Sequence, residues 1–217
     1  MKKEIYKNEQ WIIFEDEKEA LEWVCKCFKN RLNTLTKNEI KSLDYYIRAN
    51  PINTVIRIQQ EQYLFDIDKW TDKFKEEYDV FMTLHRLCNS NCINQNMVVF
   101  RLCHTKNIKQ ISKKLILKNS VLDYSTFVST TILSSAIKNI ENHFKEDNIG
   151  FGRYEYNCIM KIYLPNGING YYISHGNDCY GGNEFELILN RHTKIKIIEV
   201  KFNPFKKCKY ELICEVI

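Results

Sequence analysis

The sequence lacks the signatures that would place it in a membrane or in the common nucleotide-binding classes. No stretch approaches the roughly 18 consecutive apolar residues that a membrane-spanning helix requires. The first ten residues contain no apolar core and no small-residue cleavage site, so we expect no secretory signal peptide. Neither a Gly-x-Gly-x-x-Gly fingerprint nor a phosphate-loop sequence occurs, which excludes nucleotide binding by those two routes.

Cysteine is plentiful, but its spacing is not that of a disulfide framework. The nine cysteines are an odd number, and no Cys-x-x-Cys pair is present. This usage is typical of a reduced, cytosolic protein. His85, Cys88 and Cys92 have helical spacing and Cys103-His104 follows, but these spacings match no closed tetrahedral zinc motif. We therefore expect a buried helix face here and no bound metal.

Length and composition favour one folded domain over residues 1–217. Hydrophobic residues make up 44% of the chain, which is enough for a real core, and no low-complexity stretch indicates disorder. The net charge of +5 permits an anionic ligand or an acidic partner. Because lysines are interspersed with acids and no aromatic-plus-basic stripe occurs, a nucleic-acid partner is not indicated.

Two parts of the chain differ in hydrophobic period. Residues 1–95 have mainly helical spacing, with capping-box patterns at Asp16–Glu19 and Thr36–Glu39. The second box precedes an apolar face of Ile40, Leu43 and Ile47, and that helix should end before Pro51.

Residues 96–217 have strand patterns instead. They are interrupted by one helix predicted over residues 134–144. Helices first and strands later predict an α+β fold. The strand candidates are Met97–Cys103, Phe127–Ile132, an alternating segment from Tyr154 to Leu164, Tyr171–Ser174, Phe185–Asn190, Thr193–Val200 and Tyr210–Ile217.

Three polar features interrupt these apolar strands. Arg101 lies in a strand that otherwise reads as buried, so it must meet either a structural carboxylate or an anionic ligand such as a phosphate. The hydroxyls of Ser129-Thr130-Thr131 are typical of an ordinary strand or a helix cap, but such a hydroxyl can also orient a neighbouring carboxylate.

The third feature is Glu184-Phe185-Glu186, which follows a glycine turn. Residues i and i+2 of a strand point to one face, so the two acids would project side by side. They are either a solvated strand end or a site that stabilises developing positive charge.

The order of these three features resembles the Arg-Ser-Glu class of mono-ADP-ribosyltransferases, the bacterial toxin-like exoenzymes. The likeness includes Phe100-Arg101, Ser129-Thr130-Thr131 and Glu184-Phe185-Glu186, and it extends over most of the chain from about residue 36. The segment Leu164-Pro165-Asn166-Gly167 resembles the end of a strand and the Pro-x-Gly turn that follows it in the family. Three positions differ from the family pattern. Thr131 stands where serine is usual, Leu102 stands where many members carry glycine, and Tyr180 lies one place further from the first glutamate than the usual loop aromatic.

This resemblance implies a fold and a set of roles. The fold would be N-terminal helices (1–95) packed on a two-sheet, mixed or antiparallel NAD-binding core (96–217). Glu186 would stabilise the cationic ribose that forms when NAD loses nicotinamide, Ser129 would orient Glu186, and Arg101 would hold the phosphates of NAD. The backbone at Leu102 and an aromatic ring, for which Phe151 is the candidate, would contact nicotinamide. Phe151 can equally be a loop residue that fills the core.

Glu184 would act on the acceptor, because Glu-x-Glu members of this family usually modify arginine. The resemblance therefore implies an NAD-dependent protein mono-ADP-ribosyltransferase that acts as a toxin or effector. An NAD glycohydrolase, or a degenerate module that binds NAD or a partner without turnover, is the alternative. The expected location is the cytoplasm of the producing cell or of a target cell into which the protein is delivered.

Overall fold

The fold was derived from a computed structural model of the 217-residue chain. Its description covers residues 1–32, 34–49, 52–58, 61–71, 74–105, 108, 118–137, 157–173, 185–206 and 208–217.

Four helices precede most of the sheet, and side-chain caps begin the first two. The Glu19 amide donates to Asp16 Oδ1 at 3.1 Å. Thr36 and Glu39 form the full capping box, with the Glu39 amide donating to Thr36 Oγ1 at 3.2 Å and the Thr36 amide donating to Glu39 Oε2 at 2.8 Å. These bonds confirm both predicted caps. The helices are α1 (Glu17–Leu32), α2 (Lys37–Ala49), α3 (Ile52–Ile58) and α4 (Lys75–Asn89).

Ten strands are found in the described residues, and eight of them follow α4. Seven agree with the predicted strand segments to within a few residues, whereas β1, β2 and β4 lie where no strand was expected. The strands are β1 (Lys2–Tyr6), β2 (Glu9–Ile13), β3 (Met97–Cys103), β4 (Val121–Tyr124), β5 (Val128–Thr131), β6 (Cys158–Leu164), β7 (Gly170–Ile173), β8 (Glu186–Leu189), β9 (Thr193–Phe202) and β10 (Tyr210–Val216).

The strands form one mixed sheet with a narrow junction in its middle. Along the sheet the order is β4-β9-β10-β6-β3-β5-β8-β7, and β2 adds parallel to β3 at the side. A single register pair, Phe100 with Thr131, joins β3 to β5. The two predicted sheets are therefore two parts of one hydrogen-bonded sheet. One part has long strands and carries Arg101, and the other has the short strands β5, β8 and β7.

The two faces of the sheet have separate cores, and β3 shows why. Met97, Val99 and Cys103 belong to the large core under the helices, whereas Val98 belongs to a smaller cluster with Trp11 on the other face. Side chains alternate along a strand, so Arg101 shares the helix-side face with Val99 and Cys103.

The N-terminal segment departs from the helical interpretation of residues 1–95. Strands β1 and β2 form an antiparallel hairpin that covers the smaller core through Trp11 and Ile13. Period-two alternation over five residues is a weak signal, and the charged residues of β1 hid it. None of the helices within the described residues is long and apolar enough to cross a membrane.

Candidate active site

Arg101 is held on β3 by a backbone carbonyl. Its Nη1 atom donates to the carbonyl oxygen of Ser129, and its guanidinium carbon lies 5.9 Å from the ring centroid of Tyr124. The Nε atom is buried and has no hydrogen-bond partner in the part of the chain that the structure describes. No salt bridge of Arg101 is found within that part either. An unsatisfied donor on a cation is costly, so the geometry favours an anionic ligand over the structural carboxylate.

Ser129 links Arg101 to the acid on β8. Its carbonyl accepts from Arg101, and its Oγ atom donates to Oε1 of Glu186. In the register, Ser129 lies opposite Ile188 and Thr131 lies opposite Glu186, so this contact runs diagonally across two neighbouring strands. The predicted hydrogen bond between the strand hydroxyl and the carboxylate is present in the structure.

Glu186 is the first residue of β8, and only 6% of it is exposed. The interpretation of this acid as part of a solvated strand end is therefore wrong. The residue before it, Phe185, has φ of 50°, a left-handed conformation that is costly for a residue with a bulky side chain. The extended backbone of β8 begins at Glu186. The predicted side-by-side arrangement of Glu184 and Glu186 lies outside the described residues.

Tyr46 of α2 completes the environment of the acid. Its hydroxyl donates to Glu186 Oε1 at 3.0 Å, and its side chain is 2% exposed. Sequence reasoning missed this residue and assigned the apolar face of α2 to Ile40, Leu43 and Ile47. In the structure Ile40 is 47% exposed, whereas Leu43 and Tyr46 are buried. Tyr46 lies three residues after Leu43, and a tyrosine on a buried helix face needs a partner for its hydroxyl; that signal could have found it.

The carboxyl group of Glu186 has a raised pKa. Burial is the largest cause, and it outweighs the hydrogen bonds from Ser129 and Tyr46 and the charge of Arg101, all of which lower the pKa. The pKa of Tyr46 is also raised, by burial and by the charge of Glu186. A buried carboxyl group with a perturbed pKa, held by two hydroxyl donors and close enough to Arg101 to feel its charge, is typical of a functional site.

A second arginine approaches Arg101 from α3. The pKa of Arg57 is lowered, first by burial and then by the positive charge of Arg101. Two cations near each other repel, and no carboxylate pairs with either guanidinium among the described residues. Sequence reasoning missed Arg57 because a basic residue in the last turn of a helix is common. The pair can hold a doubly charged anion such as a diphosphate.

The other predicted site residues have different outcomes. Leu102 lies beside Arg101 on β3 and is 9% exposed. Thr131 uses its hydroxyl locally, accepting from the Leu133 amide at 3.2 Å. Glu184 and Phe151 lie outside the described residues.

The residues weighed as metal ligands have other contacts. Within the described ranges, no three His, Cys, Asp or Glu side chains are grouped as metal ligands would be. The Cys88 thiol is buried and faces the carbonyl of Ile188 at 3.7 Å, and the Cys92 thiol lies 3.7 Å from the carbonyl of Ile93. The His85 ring stacks on Phe81 with 5.8 Å between centroids.

Comparison with known proteins identifies a family for this geometry. The family model described as ADP-ribosyltransferase exoenzyme matches residues 20–216. Comparison with curated proteins gives no match.

Several solved structures share the fold at low sequence identity. C3stau2 from S. aureus, solved with NAD, is 18% identical with a TM-score of 0.64, and the match covers 95% of this chain and 98% of that one. The Clostridium limosum C3 exoenzyme is 15% identical with a TM-score of 0.66 over 96% and 98% of the two chains. The ADP-ribosylating toxin BECa of C. perfringens, solved with NADH, is 19% identical with a TM-score of 0.65; all of this chain matches 54% of that one.

Proposed function

This chain belongs to the ADP-ribosyltransferase exoenzyme family, and we propose that residues 1–217 form its single catalytic domain. Membership makes the chain an NAD-dependent mono-ADP-ribosyltransferase of the toxin-like class. In our proposal, residues 96–217 supply the NAD-binding core, and residues 1–95 pack against it and contribute Tyr46 and Arg57. The observation that carries the proposal is the buried Glu186, which accepts hydrogen bonds from Ser129 and Tyr46.

Glu186 is proposed as the catalytic carboxylate. Cleavage of the bond between nicotinamide and ribose sends the bonding electron pair to nicotinamide and leaves positive charge on the ribose. A fixed negative charge nearby stabilises that cation, and its effect is strengthened because Glu186 is buried. Ser129 and Tyr46 both donate to Oε1 of Glu186, and a ribose hydroxyl is proposed to bind at Oε2. In this role Ser129 and Tyr46 are positioning residues.

Arg101 and Arg57 are proposed to bind the diphosphate of NAD. The proposal is supported by the unpartnered Nε atom of Arg101 and by the mutual repulsion of the two cations, which a diphosphate would relieve. The backbone at Leu102 and the ring of Phe151 are proposed to contact nicotinamide, as the family likeness implies.

Glu184 is proposed to act on an arginine of an acceptor protein. Its carboxylate would pair with the guanidinium and take the proton that is lost as nitrogen bonds to the ribose carbon. The reaction would take place inside a cell, either the producer or a target cell that receives the protein. That setting is supported by the cysteines, since none of the eight in the described residues is in a disulfide bond.

The test is to incubate the chain with isotopically labelled NAD and a cell lysate, and to locate the modified residue by mass spectrometry. We expect label on arginine. Glu184→Gln should reduce protein labelling far more than release of free ADP-ribose, and Glu184→Asp should restore part of the labelling. Label on another residue type, or equal loss of both activities, would contradict the role of Glu184.

The same measurement separates the alternatives. An NAD glycohydrolase would release free ADP-ribose without labelling protein, and a degenerate module would do neither. The assembled Arg101, Ser129 and Glu186 favour turnover over the degenerate module, because a module without turnover has no need for a buried carboxylate.

A further inference from the structure

The turn between β9 and β10 presents two aromatic rings to solvent. Phe205 is 96% exposed and Phe202 is 57% exposed, although a phenylalanine ring is normally among the more buried side chains. Phe202 is the last residue of β9, and its ring lies 5.0 Å from that of Tyr210, between centroids, whereas Phe205 lies on the turn itself. Single exposed apolar residues are common, but here two exposed rings lie three positions apart at one end of the hairpin. We define the hairpin tip as Phe202, Phe205, Lys206 and Lys209.

Three hydrogen bonds hold the described backbone of the hairpin tip. The Asn203 amide donates to the carbonyl of Lys209 at 2.8 Å, which closes the hairpin. The Phe205 amide donates to Oδ1 of Asn203 at 3.0 Å, and the Lys206 amide donates to the Asn203 carbonyl at 3.3 Å. The polar groups named here are therefore satisfied while the Phe205 ring points outward, so that insertion of the ring into an apolar layer leaves them paired.

Charge around the rings is positive. Residues 201–209 contain four lysines and no acid. Lys206 and Lys209 are exposed, and Lys201 lies 3.9 Å from Glu199 in an exposed pair that water and salt weaken. The combination of exposed aromatic rings with a ring of lysines is characteristic of segments that bind the interface of an anionic bilayer.

The position of the hairpin tip fits a membrane better than a protein partner. A stable protein interface buries about 800 Å² on each side, which is more than a turn of this size can supply. A bilayer requires no shape complementarity, because the ring enters between lipids and the lysines meet the head groups. The tip also projects beyond the end of the sheet where Cys103 of β3 pairs with Cys158, two residues from Arg101. Membrane binding would therefore bring that end of the sheet close to the bilayer.

We propose that the hairpin tip is a membrane-docking element that binds anionic lipid head groups and inserts the Phe205 ring at the bilayer interface. This interaction is peripheral, and it is independent of NAD cleavage.

The test measures tryptophan fluorescence of the full chain carrying Phe205→Trp. The protein is mixed with vesicles of phosphatidylcholine alone, or with vesicles that also contain about 30% of the anionic lipid phosphatidylserine. The three native tryptophans, Trp11, Trp23 and Trp70, are all at least nine-tenths buried, so the introduced indole reports on the tip. We expect its emission to shift to shorter wavelength with anionic vesicles and to stay unchanged with neutral ones. The matched control is Phe65→Trp, since Phe65 is 51% exposed and precedes Asp66; its emission should not shift.

A sedimentation assay with the same vesicles tests the apolar and the electrostatic components of vesicle binding separately. Phe205→Ser should weaken vesicle binding about tenfold through the lost apolar contact. Reversal of charge with Lys206→Glu and Lys209→Glu should weaken it by about tenfold or more and remove its salt dependence. NAD cleavage measured without vesicles should be unchanged in these variants.

Four results would overturn the proposal. They are an absent shift with anionic vesicles, an equal shift with neutral vesicles, unchanged binding of the charge-reversed variant, and a shift produced by lipid-free lysate proteins but not by vesicles. Because cleavage is measured separately, failure of membrane docking is distinguishable from failure of the proposed catalytic roles.

Discussion

Two clusters in this fold each contain a glutamate that accepts a hydrogen bond from a tyrosine hydroxyl, yet the pKa of one acid is lowered and that of the other is raised. In the Glu4 cluster, Lys161 donates to both carboxylate oxygens at 2.8 and 2.7 Å, and Tyr163 donates to one of them. Burial raises the pKa of Glu4, but the bonds from Lys161 and Tyr163 and the charge of Lys161 outweigh it, so that the pKa is lowered. In the Glu186 cluster burial dominates, and the pKa is raised.

This difference in pKa shift reflects different roles of the two acids. The Glu4 cluster is a paired, partly exposed network that fastens the β1–β2 hairpin to β6, and its charges cancel locally. In the Glu186 cluster the acid is buried and accepts from two hydroxyls, and the Nε atom of Arg101 has no partner among the described residues. Uncompensated charge is costly to stability, and it is typical of a site where a ligand supplies the missing partner.

The sharpest test of the comparison is the same substitution in both clusters. Glu186→Gln should lower kcat for NAD cleavage by about 10³-fold or more, because the negative charge that stabilises the ribose cation is lost. Its melting temperature should be unchanged or higher, since an acid with a raised pKa loses stability as pH rises above its ordinary value of 4.5. Glu4→Gln should keep wild-type kcat and melt at lower temperature. A Glu186→Gln variant with near wild-type turnover would contradict the mechanism.

Replacing the basic residue of each cluster by the other basic residue type should separate an effect on NAD binding from an effect on the fold. Arg101→Lys should raise KM for NAD by about 10- to 100-fold with a smaller change in kcat, because an ammonium cannot reproduce the planar fork of donors. The reciprocal Lys161→Arg should leave both constants unchanged. Steady-state kinetics over a range of NAD concentrations provide the measurement, and an unchanged KM in Arg101→Lys would remove the phosphate-binding role.

Removing the tyrosine hydroxyl from each cluster should change the pH profile of NAD cleavage only in the Glu186 cluster. Tyr46→Phe should lower the free energy of unfolding by about 1–2 kcal/mol through the lost buried hydrogen bond. That bond favours the ionised acid, so its loss should raise the pKa of Glu186 further and shift the acid limb of the NAD-cleavage profile to higher pH. Tyr163→Phe should leave the limb in place. A limb that stays fixed or moves to lower pH in Tyr46→Phe would refute this positioning role.

The smallest effect is expected for the pH dependence of the paired cluster. The lowered pKa of Glu4 contributes stability that is present above the ordinary value of 4.5 and is lost as pH falls through the lower folded-state value. The melting-temperature difference between wild type and Glu4→Gln should therefore shrink below pH 4.5 and in high salt. Because the pair is partly exposed, the corresponding difference in the free energy of unfolding should be less than about 1 kcal/mol. A difference that grows with acid would contradict the assigned pairing.

The comparison also separates what local patterns could predict from what they could not. The capping boxes at Asp16 and Thr36 were predictable because each bond spans three residues. The strand around Arg101 was predictable from its apolar run, and the family likeness correctly anticipated the hydrogen bond from Ser129 to Glu186. The face of α2 was mispredicted, because Ile40 and Tyr46 have similar helical spacing and only packing decides which is buried.

The sequence by itself determined the α+β class, the helix caps, most of the strands and the order of Arg101, Ser129 and Glu186. These properties depend on interactions between near neighbours in the chain, or on the order of residues along it. The tertiary structure decided that Tyr46, 140 residues away, donates to Glu186, that Arg57 approaches Arg101, and that burial raises the pKa of Glu186 while pairing lowers that of Glu4. Desolvation and charge depend on whichever distant segments exclude water from a side chain, and no local pattern contains that information.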